Sequence, residues 1–267
     1  MIRLTGSQNP LIKEVRALKN KDSREEKGLY FIEGARFVEE ALKETANIKY
    51  IVVSETFLSN TGSSGSLLKI NETIMNTYVI PDSLFSSISD TKNPQGILAV
   101  MSLERKQLKD AVFNGGLLVI LDTIKDPGNM GTIIRTADAA GCTGVVISGG
   151  CVDVYNPKVL RSTMGSVFHV PLYHCSGMGE AIDIARKHGF LLCASHLSGS
   201  VSIYEADLSG KVALIIGSEA EGISPDTAKD SDLLIKIPME GRAESLNASV
   251  AAGIMIFEAM RQKKNRK

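Results

Sequence analysis

The sequence has no apolar run of the roughly 20 residues that a membrane-spanning helix needs, so no membrane-embedded helix is expected. Its first residues, Met1-Ile2-Arg3-Leu4-Thr5, lack the apolar core of a secretory signal, and a cytoplasmic location is expected. Four cysteines, Cys142, Cys151, Cys175 and Cys193, form no CxxC pair. That spacing argues against a zinc knuckle or a disulfide framework and for reduced thiols. His169, His174, His188 and His196 form neither HExxH nor HxxxH, so no metal is expected, and His169 is read as structural. The chain also lacks net charge, with 30 Lys and Arg against 30 Asp and Glu. Overall charge therefore gives no nucleic-acid footprint, and any basic surface must be local. The tail Arg261-Gln262-Lys263-Lys264-Asn265-Arg266-Lys267 is one such cluster, with a solvated, frayed terminus as the alternative. Neither GxGxxG nor a phosphate-cradling P-loop is present, which disfavours a nucleotide-dependent oxidoreductase.

What remains is 267 residues with 43% hydrophobic content, enough for one large domain or two ordinary ones. The first 106 residues read as a separate α/β unit. Ser7 is the expected cap of a helix with Pro10 in its first turn and Leu11, Ile12, Val15 and Leu18 on one face. Lys13, Arg16, Lys19, Lys21, Arg24 and Lys27 follow on and beyond that helix, interspersed with acids. Strands are expected at 29–32, 48–53, 77–80 and 97–101, a helix at 35–45, and a flexible loop at 59–66. The charged stretch 104–116 marks a boundary.

From 113 to 267 apolar strands alternate with helices. Strands are expected at 117–121, 144–148, 167–172, 190–195, 212–216 and 233–237, with helices starting near Asn129, Pro157, Gly177, Ser224 and Leu246. This alternation predicts a mostly parallel sheet covered on both faces. Three loops after strands carry chemistry. In the first, Asn129 can cap a helix, and Arg135 interrupts an apolar stripe of Ile133, Ile134 and Ala137. An arginine there reaches the ligand edge of the sheet or pairs with Asp138. The second, Gly217-Ser218-Glu219-Ala220-Glu221-Gly222, is acidic. It would repel phosphate and suits ammonium, sulfonium or ribose hydroxyls; a plain turn with a capping acid is the alternative. The third follows a strand ended by Pro238. Ser245 is expected to cap a helix over 246–262, in which Ala248, Ser249, Ala251, Ala252 and Gly253 permit close backbone approach.

In this order, Asn129-x-Gly131-x-x-x-Arg135, Gly217-x-Glu219-x-x-Gly222 and Ile237-Pro238-Met239…Ser245-Leu246-Asn247-Ala248-Ser249 resemble the three motifs of the SpoU (TrmH-like) RNA 2′-O-ribose methyltransferases, within the SPOUT superfamily. The N-terminal part, through Gln8-Asn9-Pro10, Phe31-Ile32-Glu33-Gly34 and Asn93-Pro94-Gln95-Gly96, is similar to the substrate-binding domain of the ribosomal-RNA branch, which resembles a kink-turn-binding ribosomal protein. The resemblance implies a knotted parallel α/β domain over 113–267, with a deep trefoil knot, and an RNA-binding domain over 1–106. It implies S-adenosyl-L-methionine as cofactor, held by Gly217, Ile237 and Leu246, with Ser195 as a weaker match. It implies a homodimer acting on RNA, ribosomal RNA before tRNA. Arg135 is then the expected catalytic residue, orienting the nucleotide and stabilising developing alkoxide, since an arginine is very hard to deprotonate. Asn129, Glu219 and Asn247 would support the loops, and Ser245 either contacts substrate or caps the helix. A transfer-RNA methylase and a non-catalytic RNA-binding module are the alternatives.

Overall fold

The computed structural model describes residues 1–44, 46–61, 76–197, 199–218 and 221–265. The chain forms two compact units. One takes Met1–Glu104 and Tyr155–Phe168, the other Arg105–Val154 and His169–Lys267.

The first unit is an α/β sandwich. In chain order it holds β1 (Ile2–Arg3), α1 (Pro10–Ala17), α2 (Lys21–Lys27), β2 (Leu29–Glu33), α3 (Ala35–Lys43), β3 (Ile48–Ser54), α4 (Glu55–Thr61), β4 (Thr77–Ile80), α5 (Asp82–Ile88) and β5 (Ile97–Ser102). The strands lie in the order β1-β4-β3-β5-β2, with β5 antiparallel to both its neighbours. Successive strand residues face opposite sides, and both sides are buried. Tyr30, Ile32, Ile97, Ala99 and Met101 pack under α3, whereas Phe31, Leu98 and Val100 pack under Ile12, Val15 and Leu18 of α1 and Leu84, Phe85 and Ile88 of α5. The α3 side is completed from far along the chain. Tyr155 and Leu160 are buried in that cluster, with Val167 and Phe168 packed against it. The sequence reading leaves this segment in the second domain. Its apolar residues are instead satisfied by the first unit's core.

The second unit continues with β6 (Lys106–Gln107), β7 (Leu117–Leu121), α6 (Pro127–Ala139) and β8 (Gly144–Ile147). The excursion into the first unit carries α7 (Pro157–Thr163). The chain then forms β9 (Leu172–His174), α8 (Met178–Lys187), β10 (Leu191–Ser195), β11 (Val201–Ser202), β12 (Val212–Ile216), α9 (Pro225–Lys229), β13 (Leu233–Lys236) and α10 (Ala248–Asn265). Its eight strands, in the order β11-β13-β10-β12-β7-β8-β9-β6, pair parallel throughout. β7 and β12 are buried at every residue, as a sheet covered on both faces requires. In a parallel sheet all strand ends of one sense share one edge. The loops after β7, β10, β12 and β13 therefore meet at the carboxyl edge. No described helix is long and apolar enough to cross a membrane.

Several local expectations are corrected. Asn9, not Ser7, caps α1, its Oδ1 accepting from Leu11 N at 2.9 Å. Residues 167–172 do not form a strand. Ser166–Phe168 is a 3₁₀ turn, and β9 starts at Leu172, after Pro171. Part of the loop expected at 59–66 is the end of α4, and 62–66 lies outside the described residues. Arg24 is buried and donates to the carbonyls of Leu18 and Lys19, so it finishes α1 rather than facing solvent.

Candidate active site

The carboxyl edge of the second sheet holds a cavity of about 910 Å³. β10 delivers Ser195 to it, β12 delivers Gly217, and β13 delivers Ile237 and Pro238. Ser245 and Leu246 close it before α10, whose Ala248, Ala251 and Met255 line the wall. The four residues expected to hold a cofactor, Ser195, Gly217, Ile237 and Leu246, thus share one cavity. Glu221 and Glu244 also line it, so its charged lining includes anions suited to a cationic ligand.

The Gly217 loop is built by close approach. Ser218 and Gly222 exchange backbone hydrogen bonds at 3.1 and 2.9 Å, and Glu221 N donates to Ser218 Oγ at 3.2 Å. Gly222 turns through φ 67°. A Cβ on Gly217 would lie 2.2 Å from the Gly222 carbonyl carbon. The glycine is therefore required by its own loop, and a substitution there disrupts backbone before it fills the cavity. Glu219 lies outside the described residues.

The first-motif helix starts at Pro127. Asp126 caps it, its Oδ1 accepting from Asn129 N at 2.8 Å. Asn129 is therefore not the cap. It is buried, and its Oδ1 accepts from Asn247 Nδ2 at 2.9 Å. Asn247 in turn caps α10, its Oδ1 accepting from Ser249 N at 2.9 Å, Val250 N at 3.3 Å and Ser249 Oγ at 2.7 Å. The cap expected at Ser245 belongs two residues later, and the helix begins at Ala248. Ser245 is left exposed on the cavity lining.

Arg135 points away from the core. It is exposed, has no ion-pair partner among the described residues, and is not among the residues lining the cavity. The pairing with Asp138 does not form. Asp138 Oδ2 instead lies 3.0 Å from His169 Nδ1, so His169 is held by a local hydrogen bond. Arg135 thus shares a unit with the cavity but does not enter it.

Sequence reasoning missed Asp122 and Thr123 at the end of β7. Asp122 is buried, and its Oδ2 lies 3.5 Å from both Ser224 N and Thr227 Oγ1, beside the second-motif loop. Burial raises its carboxyl above the ordinary carboxylate range, partly offset by those donors. Thr123 takes φ 55°, which a β-branched residue rarely adopts. Such strain, roughly 1–3 kcal/mol, gathers at functional loops. An acid directly after five apolar strand residues was the available signal. The cysteines are free, and burial pushes Cys142, Cys175 and Cys193 up to about 12. These three thiols stay protonated at neutral pH.

A strand-edge cavity with a glycine loop, in the same unit as a capped helix that carries an exposed arginine, is the arrangement of a ligand-binding α/β domain. Residues 116–257 match the SpoU rRNA Methylase family, and residues 9–99 match an MRM3-like substrate binding domain. The chain belongs to the SpoU rRNA methylase family. It is 34% identical to a 23S rRNA (guanosine(2553)-2′-O)-methyltransferase of Bacillus subtilis, over 96% of this chain and 98% of that one. The crystal structure of an AdoMet-bound rRNA methyltransferase from Sinorhizobium meliloti superposes with a TM-score of 0.86. It is 34% identical and covers 97% of both chains. The SpoU methyltransferase AviRb from Streptomyces viridochromogenes, in complex with AdoMet, also gives 0.86, at 27% identity over 96% of this chain and 99% of that one.

Proposed function

We propose that this protein uses S-adenosyl-L-methionine to methylate a ribose 2′-hydroxyl in ribosomal RNA. The observation that carries the reading is the convergence of Ser195, Gly217, Ile237 and Leu246 on one cavity, in a chain matched over 96% and 97% of its length by ribosomal-RNA methyltransferases. The cavity suits the cofactor. Strand-end backbone and small side chains leave room for it, and Glu221 and Glu244 outnumber the one lining lysine, Lys236, which favours a cation over a phosphate. When bound, the cofactor supplies a methyl group already activated on a sulfonium. The protein must then position the ribose and stabilise charge as the hydroxyl is deprotonated. Arg135 takes that part. Its planar guanidinium orients a nucleotide and stays charged. Asn129 and Asn247 tie the first motif to the third.

The active protein is a homodimer. Val250 and Phe257 on α10 are 50% and 45% exposed, with Ile254 half-buried between them on the same face. Single exposed apolar residues are ordinary, but a stripe at helical spacing marks an interface. α6 packs on α10, and Thr136 of α6 faces Gly253. Arg135 is exposed on α6 and does not line its own cavity, and in this reading it serves the cavity of the partner subunit. A two-fold interface forms both shared sites at once. We also infer that the C-terminal segment passes through a trefoil knot, which the burial of Ala248 and Ala252 supports. The enzyme acts in the cytoplasm on ribosomal RNA.

The function is tested by mapping ribose methylation on total RNA with and without the protein. A ribosomal-RNA site should disappear with the gene product and return with wild type but not with Arg135→Ala. Loss of a tRNA site instead would reassign the substrate. Sharing is tested by mixing Arg135→Ala with Ala251→Trp, which fills the cavity wall. Each homodimer should be inactive, and verified heterodimers should regain methyl transfer. Inactive heterodimers would place Arg135 at its own subunit's site.

A further inference from the structure

Two sequence motifs, Glu33-Gly34 and Asn93-Pro94-Gln95-Gly96, take no part in the cavity. Both lie in the first unit, and together they build one loop. Glu33 is buried, and its Oε1 accepts from Ser89 Oγ at 2.5 Å and Thr91 Oγ1 at 2.7 Å, while Oε2 accepts from Asp90 N at 2.9 Å. Gln95 Oε1 accepts from Ala35 N at 2.8 Å, supplying the cap that Gly34 cannot give α3. Gly96 takes φ 86°, and a Cβ there would come within 2.6 Å of Ser54 Oγ, so the loop closes tightly on β3. From α7, Arg161 NH1 donates to Asp90 Oδ2 at 2.7 Å.

The loop 89–96 is thus held at Ser89, Asp90, Thr91, Gln95 and Gly96. Lys92 and Asn93, at its tip, are exposed, and neither side chain has a polar partner among the described residues. Lys158, also exposed, lies three residues before Arg161 and so shares its face of α7. The nearby acids are spent, Asp90 on Arg161 and Glu33 on three donors. The basic residues of the first two helices are less available than their number implies. Arg24 is buried, Lys19 Nζ donates to Ser89 O at 2.5 Å, Arg16 reaches Ser87 Oγ at 3.2 Å, and Lys21 pairs with Glu25. Cations carried on a backbone already fixed lose less freedom on binding than cations on a mobile one.

We propose that the tip of this loop and the adjacent face of α7 grip the phosphate backbone of the RNA substrate. Lys92 and Lys158 make the phosphate contacts, and Glu33 is a positioning residue that holds the loop in shape. This rests on the reading of the protein as an RNA methyltransferase. Folded RNA is recognised largely through backbone and shape, and each phosphate contact contributes to the salt dependence of binding.

The test uses the full-length protein and a ribosomal-RNA transcript that the wild type methylates. Lys92→Gln and Lys158→Gln should each lower the slope of log affinity against log salt by roughly 0.7–0.9. The double reversal Lys92→Glu with Lys158→Glu should raise KM for RNA about tenfold, as expected when attraction at two phosphate contacts turns to repulsion. Turnover at saturating RNA and calorimetric cofactor affinity should stay unchanged. Glu33→Gln removes a negative charge. If Glu33 acted only through charge, KM for RNA would fall; as the holder of the loop, its loss should raise KM. Unchanged KM and salt slope in the lysine variants, with the wild type active, would overturn the surface and leave the function standing. A wild type that transfers methyl to no RNA would overturn the function, and the surface with it.

Discussion

Asn247 does two jobs, and a substitution series can separate them. Its Oδ1 caps α10, and its Nδ2 donates to the buried Asn129 Oδ1. Losing a helix cap costs about 1 kcal/mol. Losing a hydrogen bond to a partly buried amide costs about 1 kcal/mol more. Asn247→Ala removes both and should cost about 2 kcal/mol. Asn247→Ser keeps a capping oxygen but has no amide donor, so it should cost about half as much. Asn247→Asp keeps the acceptor and places a charge that a helix N-terminus favours by about 0.3–1 kcal/mol. It also sets a carboxylate against Asn129 Oδ1, unless the Asn129 amide turns over to present its nitrogen.

The stability order should therefore be wild type, then Ser and Asp, then Ala, read by urea unfolding followed by circular dichroism. Each kcal/mol corresponds to roughly 2–4 °C in thermal midpoint for domains of 150–250 residues. Activity should follow a different order. The Ser and Ala variants lose the link between the first and third motifs, so both should lose methyl transfer to a similar degree, whatever their stability, while the Asp variant keeps activity to the extent that the Asn129 amide turns over. Ser matching Ala in stability would show that the cap contributes nothing. Full activity in the Ser variant would show that the bond to Asn129 positions nothing.

Gly253→Ala tests the helix face. A Cβ there would meet only Thr136 Cγ2, at 3.9 Å, an ordinary contact. The subunit alone should gain about 1 kcal/mol from the better helix former, while a dimer packed closely at this position should dissociate more readily in sedimentation; a stabilised dimer would move the interface elsewhere. Asp122→Asn tests the buried carboxyl, whose folded pKa is raised by burial. Ionising it costs stability as pH rises through that folded pKa, and the cost vanishes once pH falls below the unfolded value. The Asn variant should therefore gain in thermal midpoint over wild type at neutral pH and lose that advantage on acidification; a constant gap would refute the assignment. Arg135→Lys should retain cofactor affinity and lose most methyl transfer, because a point charge cannot replace a planar fork; a fully active variant would remove the orienting role.

The alternation of apolar strands and helices made the parallel sheet legible, because a sheet buried on both faces needs unbroken apolar strands such as 117–121 and 212–216. Proline and glycine punctuation placed most boundaries to within a residue or two. Capping was less legible, because Asp126, Asn129, Ser245 and Asn247 all have side chains able to cap. Which one does so depends on where the first helical amides point, and spacing does not record that. The convergence of Ser195, Gly217, Ile237 and Leu246 on one cavity was legible through the motifs. The position of Arg135 was not, because an arginine in a stripe of Ile133, Ile134 and Ala137 is expected at the ligand edge of its own sheet or on Asp138, and it takes neither place. One helical residue can share neighbours with a buried face and still project to solvent. Nor could sequence show that Gly217 is required by the Gly222 backbone and not only by a ligand.

The least legible feature was the path of the chain between β8 and β9. Read linearly, residues 155–168 belong to the catalytic domain, and a chain starting near Val112 would be the natural isolated version of it. The structure argues against that design. Tyr155 and Leu160 are 8% and 1% exposed in the first unit's cluster, with Val167 and Phe168 packed on it. Burying a large apolar side chain is worth roughly 1.5–3 kcal/mol. Uncovering two such residues and two partly buried ones would cost several kcal/mol, against a total stability of about 5–15 kcal/mol for a typical protein. A truncation should therefore expose an adhesive segment in the middle of the methyltransferase sequence and aggregate, even if its own sheet is intact. If the truncated chain instead stayed monodisperse and bound cofactor like the full protein, α7 would have to find other cover, and its place in the first unit would be dispensable. The contiguous family match over 116–257 and the physical unit are thus different objects. A helix encoded within the SpoU match completes the core of the first unit, and it carries Arg161, which pins the loop proposed above to face RNA.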